Sequence, residues 1–545
     1  FLFCRRRRQR FSIFRDLGIP GPTPSFLSGN LSELIRRGAA DAFDEWTRKY
    51  GDLVGFYNGG TPILIIKNLD LIKSVQIKDF ENFHERGVVS SFSKLHPLGK
   101  VSLNNTSGER WKQMRSLLTP AFRISSIKKM VALMDDCSNE FLGVLKQASV
   151  MGEAIEVQRM FQKLAIDVIV RSAFGICTGI QQSGGGTEMR QLLDETQKSV
   201  QQFRTGWLNF FISCFPELSL LWRCILVVRA HFMKLPTDNI RDGMLPIINI
   251  RRLSPHVSSP EIASMSSLMS MSLSSLSGPY RVVRWSRVHR QWVVTLPSSH
   301  CVPTSMDDLL QLMLDSEAED GAPINVHELT AGYENEPASN GRFQARASGP
   351  KRRFLTNEEI QSNAIIFLIA GFETASTVMT FTAYLLGKHQ QVQDRLRSEI
   401  ASVWARDGKF TYDNVFAMRY LDQVISESIR FYTPFVGFIT RTCQCDYDYN
   451  GLKIPAGLSI LIPAFSRENK RTIHPMAFQP FGNGPRNCVG IRFAQLEMKL
   501  TLAKLLTKYN ILLDQRHIKE EQLKLGSTFI FSYPQGGVWL KFEEV

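Results

Sequence analysis

The sequence predicts one large domain that is mainly α-helical with a minor β region. Apolar residues make up 43% of the 545 residues and charged residues 21%, which is ordinary for a globular chain with a sizeable core. Most long segments repeat apolar residues at i, i+3 and i+4, the period of an amphipathic helix, and strand-like segments are few. The clearest helical segments are 130–145, 189–203 and 494–506, and the strand-like ones are 60–66 and 453–461.

A longer apolar segment, 360–387, is predicted to be the central helix of the fold. Glu373 is its only charged residue, and the segment is long enough to cross a bilayer. It also contains many Ser, Thr, Gln and Asn side chains, which favours a helix buried through the middle of a soluble domain. A capping-box pattern from Thr356 to Glu359 opens it.

The charge balance and the cysteine content limit the function classes. Lys and Arg number 65 against 51 Asp and Glu, and the formal net charge of +14 favours an acidic partner or anionic lipid. The basic residues form no recognisable nucleic-acid reading module, so nucleic acid is not expected as a partner. Nine scattered cysteines without a C-x-x-C pair argue against a disulfide scaffold, a zinc ribbon and a thioredoxin-like redox site.

The first residues are interpreted as a truncated remnant of a membrane anchor. In 1–17 a few apolar residues precede a run of arginines, as on the cytosolic flank of a membrane helix. A basic tail that binds lipid headgroups or nucleic acid is the alternative interpretation. The Pro- and Gly-rich residues 18–30 are predicted to form a stiff hinge, and 31–545 the main domain.

Three internal segments depart from the helical pattern. Residues 253–305 are rich in Ser and Met and follow neither a helical nor a strand period, so we interpret them as a low-complexity insertion or a gene-model error. The polar residues 331–351 are predicted to form a loop. The apolar stretch 207–222 is broken by Pro216 and Glu217, and we expect it to dip into a membrane surface without crossing it.

The segment 480–490 carries the pattern F-x-x-G-x-R-x-C-x-G. Cys488 comes just before a predicted helix, whose dipole and backbone N–H groups stabilise a thiolate. Arg486 can neutralise an anion, and Gly490 lets a flat group approach the backbone. A thiolate in such a loop can ligate haem iron. A buried, inert cysteine is the alternative, and the number of matched positions argues against it.

This segment resembles the haem-binding signature of the cytochrome P450 superfamily, and further motifs follow in the family's order. The resemblance implies the cytochrome P450 fold and haem b, with Cys488 as the axial ligand of the iron. Residues 370–374 look like the oxygen-activation motif, in which Thr374 hydrogen-bonds dioxygen and Glu373 passes protons. A threonine that bonds its own helix backbone is the alternative interpretation.

Other positions are assigned by the same resemblance. Glu427 and Arg430 match the family's E-x-x-R pair, whose role is structural. The arginines and the tryptophan of the haem site would donate to the propionates. The residues implied to hold haem are Cys488, Trp111, Arg115, Arg441, Arg486, Phe481, Gly490 and Ala370. The residues implied to line a pocket for a lipophilic substrate are Ile369, Phe435, Phe438 and Phe529.

Within the superfamily, the chain looks like the microsomal 3A-like and thromboxane-synthase-like branch. The arthropod members of that branch resemble it equally well. This implies a monooxygenase that uses O2 to oxidise lipophilic xenobiotics or endogenous lipids or steroids. The chain has no G-x-G-x-x-G loop, so electrons would come from NADPH–cytochrome P450 reductase, with cytochrome b5 as a further partner. Lys112, Arg492 and Lys499 are candidate docking contacts. The implied location is the endoplasmic reticulum membrane, with the haem domain on the cytosolic face.

Two alternatives stay open. A reductase-independent endoperoxide isomerase would share the fold. An inactive or incomplete P450 is the other, because a P-E-R-F-like segment is missing near 463–466 and Ala464 stands where its arginine would be. Glu427 should then lack one of two flanking guanidinium groups, and a buried charge left unpaired costs roughly 3–5 kcal/mol. We therefore expect this chain to hold haem poorly.

Overall fold

Helices dominate the structure, and the strands form small sheets at their edges. The computed structural model describes residues 2–87, 101–175, 178–181, 191, 193–199, 207–232, 236–253, 282–286, 291–295, 309–316, 355–463, 474, 476–527 and 531–545. The helices are α1 (Leu2–Phe11), α2 (Ile13–Asp16), α3 (Leu31–Arg37), α4 (Ala39–Tyr50), α5 (Leu69–Lys73), α6 (Gly108–Leu118), α7 (Ile124–Lys129), α8 (Val131–Val150), α9 (Val157–Phe174), α10 (Trp207–Cys214), α11 (Ser219–Phe232), α12 (Pro236–Leu253), α13 (Leu309–Asp315), α14 (Asn357–Lys388), α15 (Gln390–Asp407), α16 (Tyr412–Ala417), α17 (Arg419–Phe431), α18 (Ile491–Lys508) and α19 (Gln515–Ile518). The strands are β1 (Leu53–Asn58), β2 (Thr61–Ile66), β3 (Ile155–Glu156), β4 (Val282–Ser286), β5 (Gln291–Thr295), β6 (Thr440–Thr442), β7 (Tyr447–Tyr449), β8 (Leu452–Ile454), β9 (Ser459–Leu461), β10 (Tyr509–Leu513), β11 (Leu525–Ser527), β12 (Ser532–Pro534) and β13 (Trp539–Glu544).

The predicted central helix is confirmed as α14. It begins with the predicted capping box: the Glu359 N–H donates to Thr356 Oγ1 at 3.3 Å, and the Thr356 N–H donates to Glu359 Oε2 at 2.8 Å. Its most apolar stretch could span a membrane by length and composition, but 72% of that stretch is buried in the protein. The helix α9 approaches it closely, since a Cβ atom at Gly371 would lie 3.1 Å from Ile169. The helix therefore forms the centre of the core, as predicted.

The largest sheet has the strand order β1-β2-β9-β6. The strands β1 and β2 form an antiparallel hairpin, β9 pairs parallel to β2, and β6 is antiparallel to β9. The strand predicted at 60–66 is confirmed, but 453–461 forms two strands, β8 and β9, instead of one. Pro455 has no N–H to donate and Gly457 has a φ of +83°, so the chain turns between them.

The region predicted to be an insertion contains some regular structure. Among the described residues, helical structure stops at the end of α12 and resumes at α13, in agreement with the pattern. Inside this interval, however, β4 and β5 pair as an antiparallel hairpin, so the expectation of no strand structure is wrong there. Their Val, Trp and Thr residues have high β propensity, which explains the difference. The loop predicted at 331–351 lies outside the described residues.

The N-terminal residues pack against the broken apolar stretch. The helices α10 and α11 are bent against each other by 102° near Pro216, as the sequence predicted. The side chain of Arg7 is fully buried and pairs with Glu217 at 3.3 Å, and Arg10 pairs with the same carboxylate at 2.8 Å. The hinge residues 18–30 are mostly extended or in turns, and Pro20 accepts a hydrogen bond from the first sheet. The basic residues of this segment are thus partly structural.

Candidate active site

A tight glycine loop presents Cys488 just before α18. Gly482 and Gly484 have φ angles of +71° and +68°, which favour glycine. A Cβ atom at Gly484 would lie 2.2 Å from the carbonyl oxygen of Gln76, so no side chain fits there. The N–H of Cys488 donates to the carbonyl of Phe481 at 2.8 Å. The loop therefore holds the cysteine at the predicted position relative to the helix.

The Cys488 side chain is exposed, although the loop and the helix around it pack on the main core. Phe122 lies 3.6 Å from a Cβ atom placed on Gly490, and its ring centre is 5.6 Å from that of Phe367 in α14. Ala370 follows one turn later on α14 and is also exposed. The cysteine loop and the middle of α14 thus both lie next to Phe122.

The electrostatic surroundings of Cys488 differ from the expectation for a helix terminus. Although the side chain is exposed, the protein atoms packed around the thiol desolvate it and raise its pKa, while the N–H of Gly490, Arg115 and Arg86 lower that pKa without cancelling the rise. The helix terminus and the arginines do favour a thiolate, but desolvation is the larger effect. A thiol that coordinates a metal ion is deprotonated outright, so ligation would reverse this balance.

Four arginines lie close to one another beside the cysteine loop. Arg115, Arg441 and Arg486 are buried, and Arg86 is half-buried. Burial lowers the pKa of Arg86 and Arg115 to about 10 and that of Arg441 to about 9. Burial and the three neighbouring arginines lower the pKa of Arg486 well below its usual value, against a smaller effect of Glu85. One nearby carboxylate leaves most of this positive charge uncompensated.

Protein contacts hold each arginine in place but do not use all of its N–H groups. Arg486 donates to two backbone carbonyls at 2.7 Å each and lies 4.3 Å above the ring of Trp111. Arg115 donates to Asn487 at 2.9 Å, and Arg441 donates to the preceding carbonyl at 2.8 Å. The sequence-predicted residues Trp111, Arg115, Arg441 and Arg486 are therefore brought together around the cysteine loop.

Each of these arginines keeps a buried N–H group that has no hydrogen-bond partner among the described residues. The atoms are Nε of Arg86, Arg115 and Arg441 and Nη1 of Arg486. A buried donor without a partner costs roughly 1–3 kcal/mol. The cluster consequently fits an anionic group with several acceptor oxygens, and the two propionates of haem match this set of donors.

The sequence did not predict Arg86. It lies in coil, where no spacing relates it to the motif residues. Its guanidinium donates to the carbonyl of Phe438 at 3.3 Å and stacks over the ring of the same residue at 4.3 Å. Because these contacts join residues 352 positions apart, only the folded chain reveals them.

The predicted acid and alcohol side chains lie in the middle of α14. Thr374 Oγ1 donates to the carbonyl of Ala370 at 2.7 Å, which is the backbone bond that the alternative interpretation expected. The Glu373 side chain is buried, with 3% of its surface exposed, and Gln162 donates to its Oε2 at 3.4 Å. Gln197 in turn donates to Gln162 at 2.7 Å. A buried carboxyl group next to a hydroxyl group can hold and pass a proton.

The E-x-x-R pair forms, but it is less buried than expected. Arg430 Nε and Nη2 each lie 2.6 Å from a Glu427 oxygen, and the Arg430 side chain is 2% exposed. The Glu427 side chain is 53% exposed, so the expectation that this carboxylate is a buried charge is wrong. Water can solvate this carboxylate, which lowers the cost of a missing second arginine. Residue Ala464, where that arginine was expected, lies outside the described residues.

Two of the aromatic residues predicted to line the substrate pocket pack against each other. The rings of Phe435 and Phe438 stack with centres 4.7 Å apart, and Phe531 lies 5.0 Å from Phe435. Ile369 in α14 is buried in the main core. Phe529 lies outside the described residues.

Comparison with known proteins identifies the family. A family model described as Cytochrome P450 matches residues 19–237, 342–466 and 464–536 of the chain. The chain belongs to the cytochrome P450 family. It is similar to cytochrome P450 3A12 of Canis lupus familiaris, with 29% identity over 97% of this chain and 92% of the relative. Cytochromes P450 3A6 of Oryctolagus cuniculus and 3A5 of Homo sapiens are 27% and 28% identical, over 94% of this chain and 89% and 88% of the relatives.

Membership of the P450 family confirms the predicted fold and the 3A-like resemblance, and it makes the chain a cytochrome P450 monooxygenase, an oxidoreductase. The family implies a haem-iron cofactor, which agrees with the donor set around the cysteine loop. One expectation about the P450 surface is wrong. Lys499 is 3% exposed and pairs with Asp422 at 2.8 Å, so it is not available for docking. Lys112 is partly exposed and pairs with Glu81 at 3.0 Å.

Proposed function

We propose that the chain is a haem-thiolate monooxygenase in which Cys488 is the axial ligand of haem b. The observation that carries this proposal is an accessible thiol beside buried arginine N–H groups that lack partners in the described part of the chain. In a P450 the haem iron needs a thiolate ligand, and the two haem propionates need cationic hydrogen-bond donors. Both are present in one place.

Haem binding would use the arginine cluster and the small residues near the cysteine. Arg86, Arg115, Arg441 and Arg486 would bind the propionates through the N–H groups that now lack partners. Trp111 supports Arg486 from below through its ring. Gly490 and Ala370 leave room for a flat ring system, and the carbonyl of Phe481 fixes the backbone of the axial cysteine.

Proton delivery would use the acid and the alcohol of α14. When bound, thiolate-ligated haem iron activates O2 so that one oxygen atom enters a C–H bond and the other becomes water. Glu373 is buried and accepts a hydrogen bond from the neutral amide of Gln162, and a carboxyl group in such a place can carry a proton. The Thr374 hydroxyl donates to a carbonyl of its own helix, and its oxygen keeps lone pairs that can accept a hydrogen bond from a proton donor.

The substrate is proposed to be lipophilic, such as a xenobiotic, a lipid or a steroid. Phe435 and Phe438 offer stacked rings, and Phe531 extends this wall. Aromatic and aliphatic side chains of this kind exclude water and bind apolar ligands. Ile369 and Phe529 are the other proposed pocket residues.

Electrons are proposed to come from NADPH–cytochrome P450 reductase, with cytochrome b5 as a possible second donor. The net charge of +14 suits acidic partners. Lys112 and Arg492 stay candidate contacts because both are partly exposed.

The endoplasmic reticulum membrane is the proposed location, with the haem domain on its cytosolic face. The bent helices α10 and α11 and the turn between them expose Phe211, Leu218, Leu220 and Leu221, which fits an apolar surface that enters a bilayer interface. The arginines of α1 that pair with Glu217 would hold the N-terminal segment 1–17 against that surface.

Two further parts of the proposal concern chain organisation. We propose that 253–305 is an insertion and that a segment is missing near 463–466. The family match supports both, because it is interrupted between 237 and 342 and broken again at 464–466.

The reduced, CO-bound absorption spectrum of the purified protein tests the proposal. A thiolate-ligated haem shifts the Soret band far to the red of a histidine-ligated one. Replacing Cys488 by His or Ala should abolish that band and NADPH-dependent product formation, while Cys443→Ala should preserve both. A thiolate-type band in Cys488→Ala would refute the assignment of the ligand, and product formation without NADPH would favour the isomerase.

A further inference from the structure

Two glutamine side chains join the buried acid of α14 to a neighbouring helical segment. Gln162 in α9 is 6% exposed and donates from Nε2 to Glu373 Oε2 at 3.4 Å. Gln197, in the helical segment 193–199, donates from Nε2 to Gln162 Oε1 at 2.7 Å. Gln197 is only half-buried, so the row of polar groups runs from the core of the protein towards its surface.

The row fixes the orientation of the Gln162 amide. An amide has one acceptor end and one donor end. Gln197 occupies the acceptor end of Gln162, which leaves the NH2 group to face Glu373. If the Gln162 amide were flipped, its NH2 group would face the NH2 group of Gln197. Its oxygen would then face a carboxyl oxygen of Glu373.

An amide suits this place for an electrostatic reason. A lysine or arginine here would form an ion pair and hold the carboxyl group ionised. A neutral donor such as the Gln162 amide can fix the position of the Glu373 oxygen without itself placing a positive charge beside the carboxyl group. A proton carrier must lie within hydrogen-bond reach of its partner, and small displacements of such groups reduce rates strongly.

We propose that Gln162 is a positioning residue that holds Glu373 for proton delivery, and that Gln197 holds Gln162. The inference rests on the proposed role of Glu373. It extends the proton-delivery machinery beyond α14 to α9 and to the segment 193–199. Movement of that segment would therefore change the efficiency of proton delivery without any change at the axial cysteine.

The test compares Gln162→Met with Gln158→Met in the full-length holoenzyme. Methionine keeps the length of the side chain and removes the amide. Gln158 lies one turn earlier on α9, is not fully buried, and makes no side-chain hydrogen bond within the described chain, so it controls for a change in helix sequence. The readouts are product formed per NADPH consumed, KM, and the thiolate-type CO spectrum, each with a model lipophilic substrate that the wild-type protein oxidises.

The expected result is that Gln162→Met lowers product per NADPH about three- to ten-fold, the range for loss of one hydrogen bond. KM and the CO spectrum should stay unchanged, because neither the pocket nor the iron ligand is altered. Gln197→Met should give a smaller decrease with the same pattern, which keeps the test usable if Gln162→Met folds poorly. Unchanged coupling in both variants would overturn the proposal.

A double variant distinguishes the positioning role of Gln162 from the proton role of Glu373 on which it rests. Glu373→Gln alone should lower product per NADPH, and adding Gln162→Met to it should cause no further decrease. A further decrease of full size would show that Gln162 does not act through Glu373 and would overturn the positioning role. If Glu373→Gln itself had no effect, the proposed proton role of Glu373 would fail, and the positioning role with it.

Discussion

Glu497 is a buried carboxyl group whose protonation should make the stability of this P450 depend on pH. It lies in α18 with 2% of its surface exposed, and its Oε1 has no hydrogen-bond partner within the described residues. Burial raises the pKa of this carboxyl group well above its usual value. The folded protein therefore keeps the proton at a pH where the unfolded chain has released it.

The sign and size of the effect follow from this difference in protons. An acid with a raised pKa in the folded state contributes its full stability below the unfolded pKa of about 4.3 and loses it as pH rises. The loss reaches about 1.4 kcal/mol per pH unit until the folded group titrates. Glu497→Gln has nearly the same shape and no proton to lose. Relative to this variant, the wild-type protein should lose stability steadily as pH rises above the unfolded pKa, at no more than that rate.

Urea unfolding followed by circular dichroism measures the difference. Both proteins are unfolded at pH 5.0, 5.5, 6.0 and 6.5, and the two stability curves should diverge towards higher pH, with the variant the more stable. Other titrating groups cancel because they are common to both proteins. Glu153→Gln, at an exposed position on the surface, is the control and should track the wild type. Parallel curves for Glu497→Gln and the wild type would refute the reasoning.

Three other outcomes are expected. Thr374→Ala should keep the thiolate-type spectrum but divert electrons into peroxide, measured as peroxide and product per NADPH; unchanged coupling would remove Thr374 from proton delivery. Arg86→Leu should speed the transfer of haem to an acceptor protein several-fold, because one propionate donor is lost. Arg406→Leu changes an exposed site and should leave the transfer rate unchanged. Equal transfer rates in the two variants would refute the role of Arg86. Insertion of a P-E-R-F-like segment between Pro463 and Phe465 should raise the haem content, and full occupancy without the insertion would show that the missing segment is dispensable.

Much of the fold follows from local signals in the sequence. The central helix α14 has an apolar run and a capping box, and both signals are contained within the helix and its N-cap. The cysteine loop also has a local signal, since its glycines are required by positive φ angles and a close carbonyl. Features of this kind need no knowledge of distant residues. They are the ones that were predicted correctly.

Features that depend on distant contacts could not be predicted in the same way. Arg7 belongs to a run of arginines that looks like a solvated tail, yet it is buried against Glu217, 210 positions away. Lys499 looks like a surface cation on an amphipathic helix and is instead covered by its pairing with Asp422. Gln162 carries no charge and no motif. In each case the residue type permits several roles, and only the partner decides among them.

The arginine cluster also links the cofactor to the stability of the fold. Several buried N–H groups that lack partners within the described chain cost free energy in the folded state, and so do like charges held close together. An anion bound among them removes both costs, and a ligand that binds only the folded chain stabilises it by mass action. Haem binding and folding should therefore be coupled through Arg86, Arg115, Arg441 and Arg486 as much as through the axial cysteine. A defect far from the iron, such as a missing segment near 463–466, would then reduce haem content by lowering the stability of the cluster rather than by removing a ligand.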